Sequence, residues 1–109
     1  MIKYEQWGIG GEIVKADNRY VVKDNTLLNN LIVSSTKLKP HKHTTGHKHV
    51  GQEEVYIFVK GWGVMQIDDE RFDVKEGDTV LIQDGVFHRV YAGNTGCYFI
   101  CVFDGRRNH

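Results

Sequence analysis

The sequence carries no excess charge of either sign: Lys and Arg number 14, as do Asp and Glu. No net field therefore draws the chain to nucleic acid or to an anionic membrane surface. It lacks any apolar run near the ~20 residues needed to cross a bilayer, and Met1-Ile2-Lys3-Tyr4-Glu5 opens without an apolar leader core. A cytoplasmic protein is expected. Cysteine is scarce as well. The only two, Cys97 and Cys101, sit four residues apart in what reads as one strand, so their Cα atoms would lie roughly 13 Å apart, beyond disulfide reach. Two buried thiols in a reducing compartment are the expectation. The single proline, Pro40, marks no linker, and no repeat or low-complexity segment divides residues 1–109. One domain is expected, and 40% hydrophobic content is enough for one modest core.

A sustained 3.6-residue apolar period is also missing. In its place, short β-branched and aromatic runs recur between turn signals, which predicts an all-β fold, a sandwich or barrel. Strands are expected near Glu12–Ala16, Tyr20–Lys23, Asn30–Leu38, Glu53–Lys60, Gly63–Asp68, Arg71–Val74, Thr79–Gln83, His88–Ala92 and Cys97–Phe103. Lys60-Gly61-Trp62-Gly63 and Gly93-Asn94-Thr95-Gly96 read as turns among them, with Trp62 at a hairpin tip as a lid or, preferably, a dimer contact. Val55–Val59 and Tyr98–Phe103 are apolar on both faces, so both faces need cover. A homodimer would supply it; Trp7, Ile9 and the early strands folding over that face are the alternative.

Four of the six histidines, His41, His43, His47 and His49, fall within nine residues. His47 and His49 differ by two, so on an extended strand both imidazoles project from one face and can meet one ion. Glu54 has the opposite parity, and Val50-Gly51-Gln52 offers the turn that would bring it across to face them. His88, alone at the head of a strand after Asp84-Gly85, is the natural fourth donor. Imidazole and carboxylate together suit one divalent ion of iron, manganese, nickel, zinc or copper, and four protein donors on a six-coordinate ion leave about two positions open.

These residues resemble a known pattern. Gly46-His47-Lys48-His49-Val50-Gly51-Gln52-Glu53-Glu54, followed by six residues and Gly61, is similar to the first motif of the cupin superfamily, spanning about 46–61. Gly77, Gly85 and His88 match the second motif, about 77–94, in register. The resemblance selects Glu54 over Glu53 as ligand, with Glu53 pointing outward. It departs at His41 (Gly in the motif), Gln83 (Pro) and Ala92 (Asn); Asn94, two residues late, is expected to stand in for that Asn. The fold implied is the cupin jelly-roll barrel, a double-stranded β-helix.

Cupins serve many chemistries, so the resemblance implies a range. The first expectation is a metal-dependent enzyme, isomerase- or epimerase-like, acting on a small polar substrate such as a sugar phosphate or oxo acid, with His41, His43 or Tyr56 as acid or base. Lys37, Lys39, Lys42 and Lys48 would attract a phosphate. An iron-dependent dioxygenase and a non-catalytic module that senses a small molecule are the alternatives. The tail Arg106-Arg107-Asn108-His109 is expected to be solvated.

Overall fold

The computed structural model describes residues 2–105; the basic tail at 106–109 lies outside the described residues. Seven strands form, β1 (Glu12–Ala16), β2 (Tyr20–Asn25), β3 (Leu31–Leu38), β4 (Glu54–Ile67), β5 (Glu70–Lys75), β6 (Thr79–Ile82) and β7 (His88–Asp104), and no helix is present among the described residues. All neighbours pair antiparallel, in the order β1-β2-β3-β7-β4-β5, with β6 joining the first residues of β4. This is the expected all-β jelly roll.

Nine expected strands have become seven, because two of the expected turns are not turns. Lys60–Gly63 and Gly93–Gly96 lie inside β4 and β7, whose ladder runs on either side of them with register shifts between Phe58 and Lys60 and between Gly61 and Gly63, the second leaving Gly93–Gly96 opposite Trp62 alone. The physical reason is crowding. A Cβ at Gly61 or Gly63 would run into the carbonyl of Gly96 or Tyr91 on the facing strand. Glycine at these positions permits a bent, closely spaced ladder and does not reverse the chain. Trp62 is therefore at no hairpin tip. Its indole N–H donates to the Asn94 side chain at 3.0 Å, so Asn94, within the four β7 residues that face Trp62, serves this cross-strand bond.

The bend has a large geometric effect. Glu54 pairs with Phe103 and Ile67 with His88, the two ends of the β4–β7 ladder, and fourteen straight residues would span roughly 44 Å. The molecule's longest extent is only 36 Å, so the ladder must curl.

The concave face carries the core: Leu38, Phe58, Met65, Val74, Val90 and Phe99 are almost wholly buried, with Cys97 and Cys101 buried beside them and not joined by a disulfide. On the convex face Ile9 packs with Val59 and Ile100, Trp7 stacks on Tyr98 at 5.8 Å, and the Tyr98 hydroxyl donates to the Gln6 carbonyl at 2.6 Å. The N-terminal segment thus supplies cover for part of the second apolar face. A row in register across four strands, Val33–Val102–Val55–Leu81, continues beyond the Ile9 cluster.

Candidate metal centre

The segment from residue 39 to 53 links β3 to β4 and is sewn to β7 by main-chain bonds. Ala92 N–H donates to Lys42 O at 2.8 Å, Thr44 N–H to Val90 O at 2.9 Å, and His47 and His88 exchange a pair of bonds at 3.2 and 3.0 Å. Between the bridges His43–Tyr91 and His47–His88, three residues on one side, 44–46, face two on the other, 89–90. That one-residue excess flips parity. It separates histidines that regular alternation would have put on one face.

On one side of the flip, His47 and His49 stand with ring centroids 4.6 Å apart, and His47 and His88 are also 4.6 Å apart. One ligand atom each from His47, His49 and Glu54 lie within 4.8 Å of one another. Glu54 Oε1 is 3.7 Å from His49 Nε2 and 3.5 Å from His88 Nε2. The chain turns at Val50–Gly51, where Gly51 adopts φ 84° and its N–H donates to the Asp84 carboxylate at 2.6 Å, and β4 then begins at Glu54. Glu54 is buried whereas Glu53 is exposed.

On the other side, His43 is exposed and its ring lies 5.5 Å from that of Tyr91. His41 is exposed and holds φ 62°, the left-handed region that favours glycine, which is what the cupin motif has there. Neither ring lines the cleft described below. Tyr56 does: it is buried, packs edge-on to His88 at 5.5 Å and stacks on Phe99 at 5.2 Å.

The donor chemistry fits a divalent transition ion. His88 Nδ1 lies 3.0 Å from the Val86 carbonyl, which can only accept, so Nδ1 carries the proton and Nε2 presents its lone pair. That Nε2 is fully buried, makes no hydrogen bond and points at Glu54. Burial alone would push the Glu54 carboxyl up. With no ion on their ring nitrogens, a hydrogen bond from His88 and the positive charge that His88, His49 and His47 carry when protonated outweigh it and hold Glu54 below the ordinary carboxylate value of 4.5. Three imidazoles and one carboxylate form a set that iron, manganese, zinc or nickel would accept.

The cluster opens on a cleft of about 800 Å³ whose walls include Lys15, Tyr20, Thr36, Thr45 and Lys48. Of the lysines singled out in the sequence, Lys48 lines this cleft and Lys37, Lys39 and Lys42 do not. Lys15, Tyr20 and Thr45 were not singled out. Tyr20 starts the alternating run Tyr20-Val21-Val22 and reads as a core residue, and only the strand order brings it opposite the histidine loop.

Comparisons agree with this architecture. A model of the cupin domain matches residues 34–103. An oxalate-binding protein from Thermotoga maritima is 33% identical over 67 residues, 61% of this chain and 55% of that protein. Among solved structures, KdgF from Halomonas sp. superposes with a TM-score of 0.79 at 18% identity, covering 89% of this chain and 88% of its own. A predicted oxalate decarboxylase from Thermotoga maritima superposes with a TM-score of 0.68 at 27% identity, covering 77% and 80%.

Proposed function

This chain belongs to the cupin family, and on that footing we propose that it is a metal-dependent enzyme acting on a small oxo acid, moving a proton at the carbon beside the carbonyl in the manner of an isomerase. One observation carries the reading. Three of the donors, His47, His49 and Glu54, line an open cleft, with His88 buried behind them 3.5 Å from Glu54, so a small molecule has access to whatever they hold. A divalent ion bound there supplies Lewis acidity to a carbonyl oxygen.

The chain's own residues have distinct tasks. The Val86 carbonyl fixes the tautomer and ring orientation of His88. Glu54 contributes the negative charge that offsets part of a dication. Tyr56 lines the cleft against the His88 ring, and we assign the moving proton to its phenol in preference to His41 or His43, which lie outside the cleft. A carboxylate-bearing substrate is supported by the relative described as oxalate-binding.

The test is deuterium exchange at the carbon next to the carbonyl of 2-oxobutyrate, followed by proton NMR in heavy water with metal-loaded protein and free metal as control. Exchange should be accelerated over free metal, abolished in His49→Ala, and slowed roughly 10²- to 10⁴-fold in Tyr56→Phe. Exchange no faster than with free metal would overturn the isomerase reading. Oxygen consumed in step with turnover on iron-loaded protein would replace it with a dioxygenase.

A further inference from the structure

The cleft has a second chemically distinct wall. In β1 the register with β2 slips between Ile13 and Lys15, and this bulge re-aims the strand so that both Val14 and Lys15 line the cleft. Lys15 Nζ lies 5.1 Å above the ring of Tyr20, a tyrosine only 5% exposed. The Arg19 guanidinium sits 4.9 Å from that ring, but its charge is already engaged by Asp17 at 3.0 Å. Tyr20 hydroxyl and Thr45 Oγ1 are 3.4 Å apart, and Arg19 donates to the same Thr45 oxygen at 3.2 Å. Burial pushes the Tyr20 phenol up, yet hydrogen bonding to Lys15 and Thr45 leaves it below its ordinary value of 10.0.

We propose that Lys15, Tyr20 and Thr45 form an anion-binding end of the cleft, so that the substrate is a short chain with an oxo- or hydroxycarboxylate at the metal end and a second anionic group, carboxylate or phosphate, at the other. This rests on the metal reading of the histidine cluster. The Lys15 ammonium and the one hydroxyl hydrogen that the Tyr20–Thr45 contact leaves free face one wall and supply donors that a carboxylate or phosphate accepts. The other charged side chains lining the cleft are Lys48, Glu54 and Asp104. Glu54 is engaged by the histidines, and the main chain of Asp104 is tied to the Gln52 amide at 2.8 Å.

The spacing limits the ligand. Thr45 is two residues from His47, so their Cα atoms are at most ~7 Å apart. Oxalate, with two carbons, would fill only the metal end of an 800 Å³ cleft, a volume within the range of roughly 300–1,000 Å³ typical of pockets for considerably larger ligands.

Calorimetric titration of manganese-loaded protein tests this with matched probes: 2-oxoglutarate against pyruvate for a distal carboxylate, and 3-phosphoglycerate against glycerate for a distal phosphate. At least one two-ended probe should bind roughly ten- to a hundredfold more tightly than its one-ended match. Lys15→Met should erase that ratio while metal content and pyruvate affinity stay as in wild type. Tyr20→Phe, which keeps the ring packing, should lower the same ratio and guards against a merely structural effect of the lysine change. Ratios near one in wild type with metal bound, or ratios unchanged in both variants, overturn the second end and leave the metal reading intact. Loss of metal or of pyruvate binding by wild-type protein overturns the metal reading, and this inference with it.

Discussion

Replacing Glu54 by Gln keeps the shape of a buried side chain and removes its charge from among three imidazoles. Apparent affinities for a four-ligand divalent site run to ~10–16 kcal/mol, so one ligand of four accounts for ~3–4 kcal/mol, or roughly 100- to 1,000-fold in Kd. The effect is readable as thermal stability. Metal at a thousandfold excess over Kd stabilises the folded chain by ~4 kcal/mol. A domain of 109 residues has an unfolding entropy of about 230 cal/mol/K, so wild type should gain about 15–18 °C in Tm. In Glu54→Gln the same metal concentration is only about one- to tenfold above Kd, leaving ~0.4–1.4 kcal/mol and a gain of about 2–6 °C. Differential scanning fluorimetry with and without zinc, beside a competition titration against a chromophoric chelator, gives both numbers. Glu53→Ala is the control: its side chain is exposed, and its metal shift should match wild type. An undiminished shift in Glu54→Gln, or a loss confined to Glu53→Ala, refutes the assignment.

Two further outcomes concern the protein away from the ion. His41 holds φ 62°, a conformation costly for any residue with a Cβ, so His41→Gly should raise stability by up to ~1 kcal/mol, or about 4 °C in Tm; an unchanged or lower Tm would show that its exposed ring contributes contacts that offset the strain. Burial pushes the Cys97 thiol up to about 12, so at pH 8 only ~10⁻⁴ of it is thiolate and alkylation by iodoacetamide should wait on unfolding. Rapid single-site modification of native protein would contradict this. The same shift means the folded chain holds that proton more tightly, so Cys97 removes stability as pH rises from its ordinary 9.0 towards about 12.

Short-range pattern made part of the structure legible. Alternation and turn residues located the strands, and the resemblance to the cupin motif, through its register from His47 to Glu54 and Gly61, picked out the buried carboxylate next to an exposed one. What stayed hidden depends on partners far along the chain. Glycine in a strand has the same appearance whether it reverses the backbone or lets another backbone pass close by, so Gly61, Gly63, Gly93 and Gly96 read as turns until β4 and β7 were seen to pair across them. Density along the chain likewise does not reveal that His41 and His43 stand apart from the cleft, because the one-residue excess against β7 is set by the facing strand. Lys15 and Tyr20 gave no signal, since a β-bulge and a strand order place them.

The curl of the longest ladder also has a kinetic consequence. Its two ends meet at the histidine cluster, Glu54 from the head of β4 and His88 from the head of β7. A folding chain must zip the ladder and bend it at Gly61–Gly63 before these donors are neighbours, and pairings this distant in sequence form slowly. We expect the donor set to be completed late, after the folding barrier, an order that refolding and unfolding rates with and without zinc would test. An ion that finds it acts as a clasp on a band already wound: it leaves the rate of folding nearly untouched and slows unfolding, because the clasp must open before the band can uncurl.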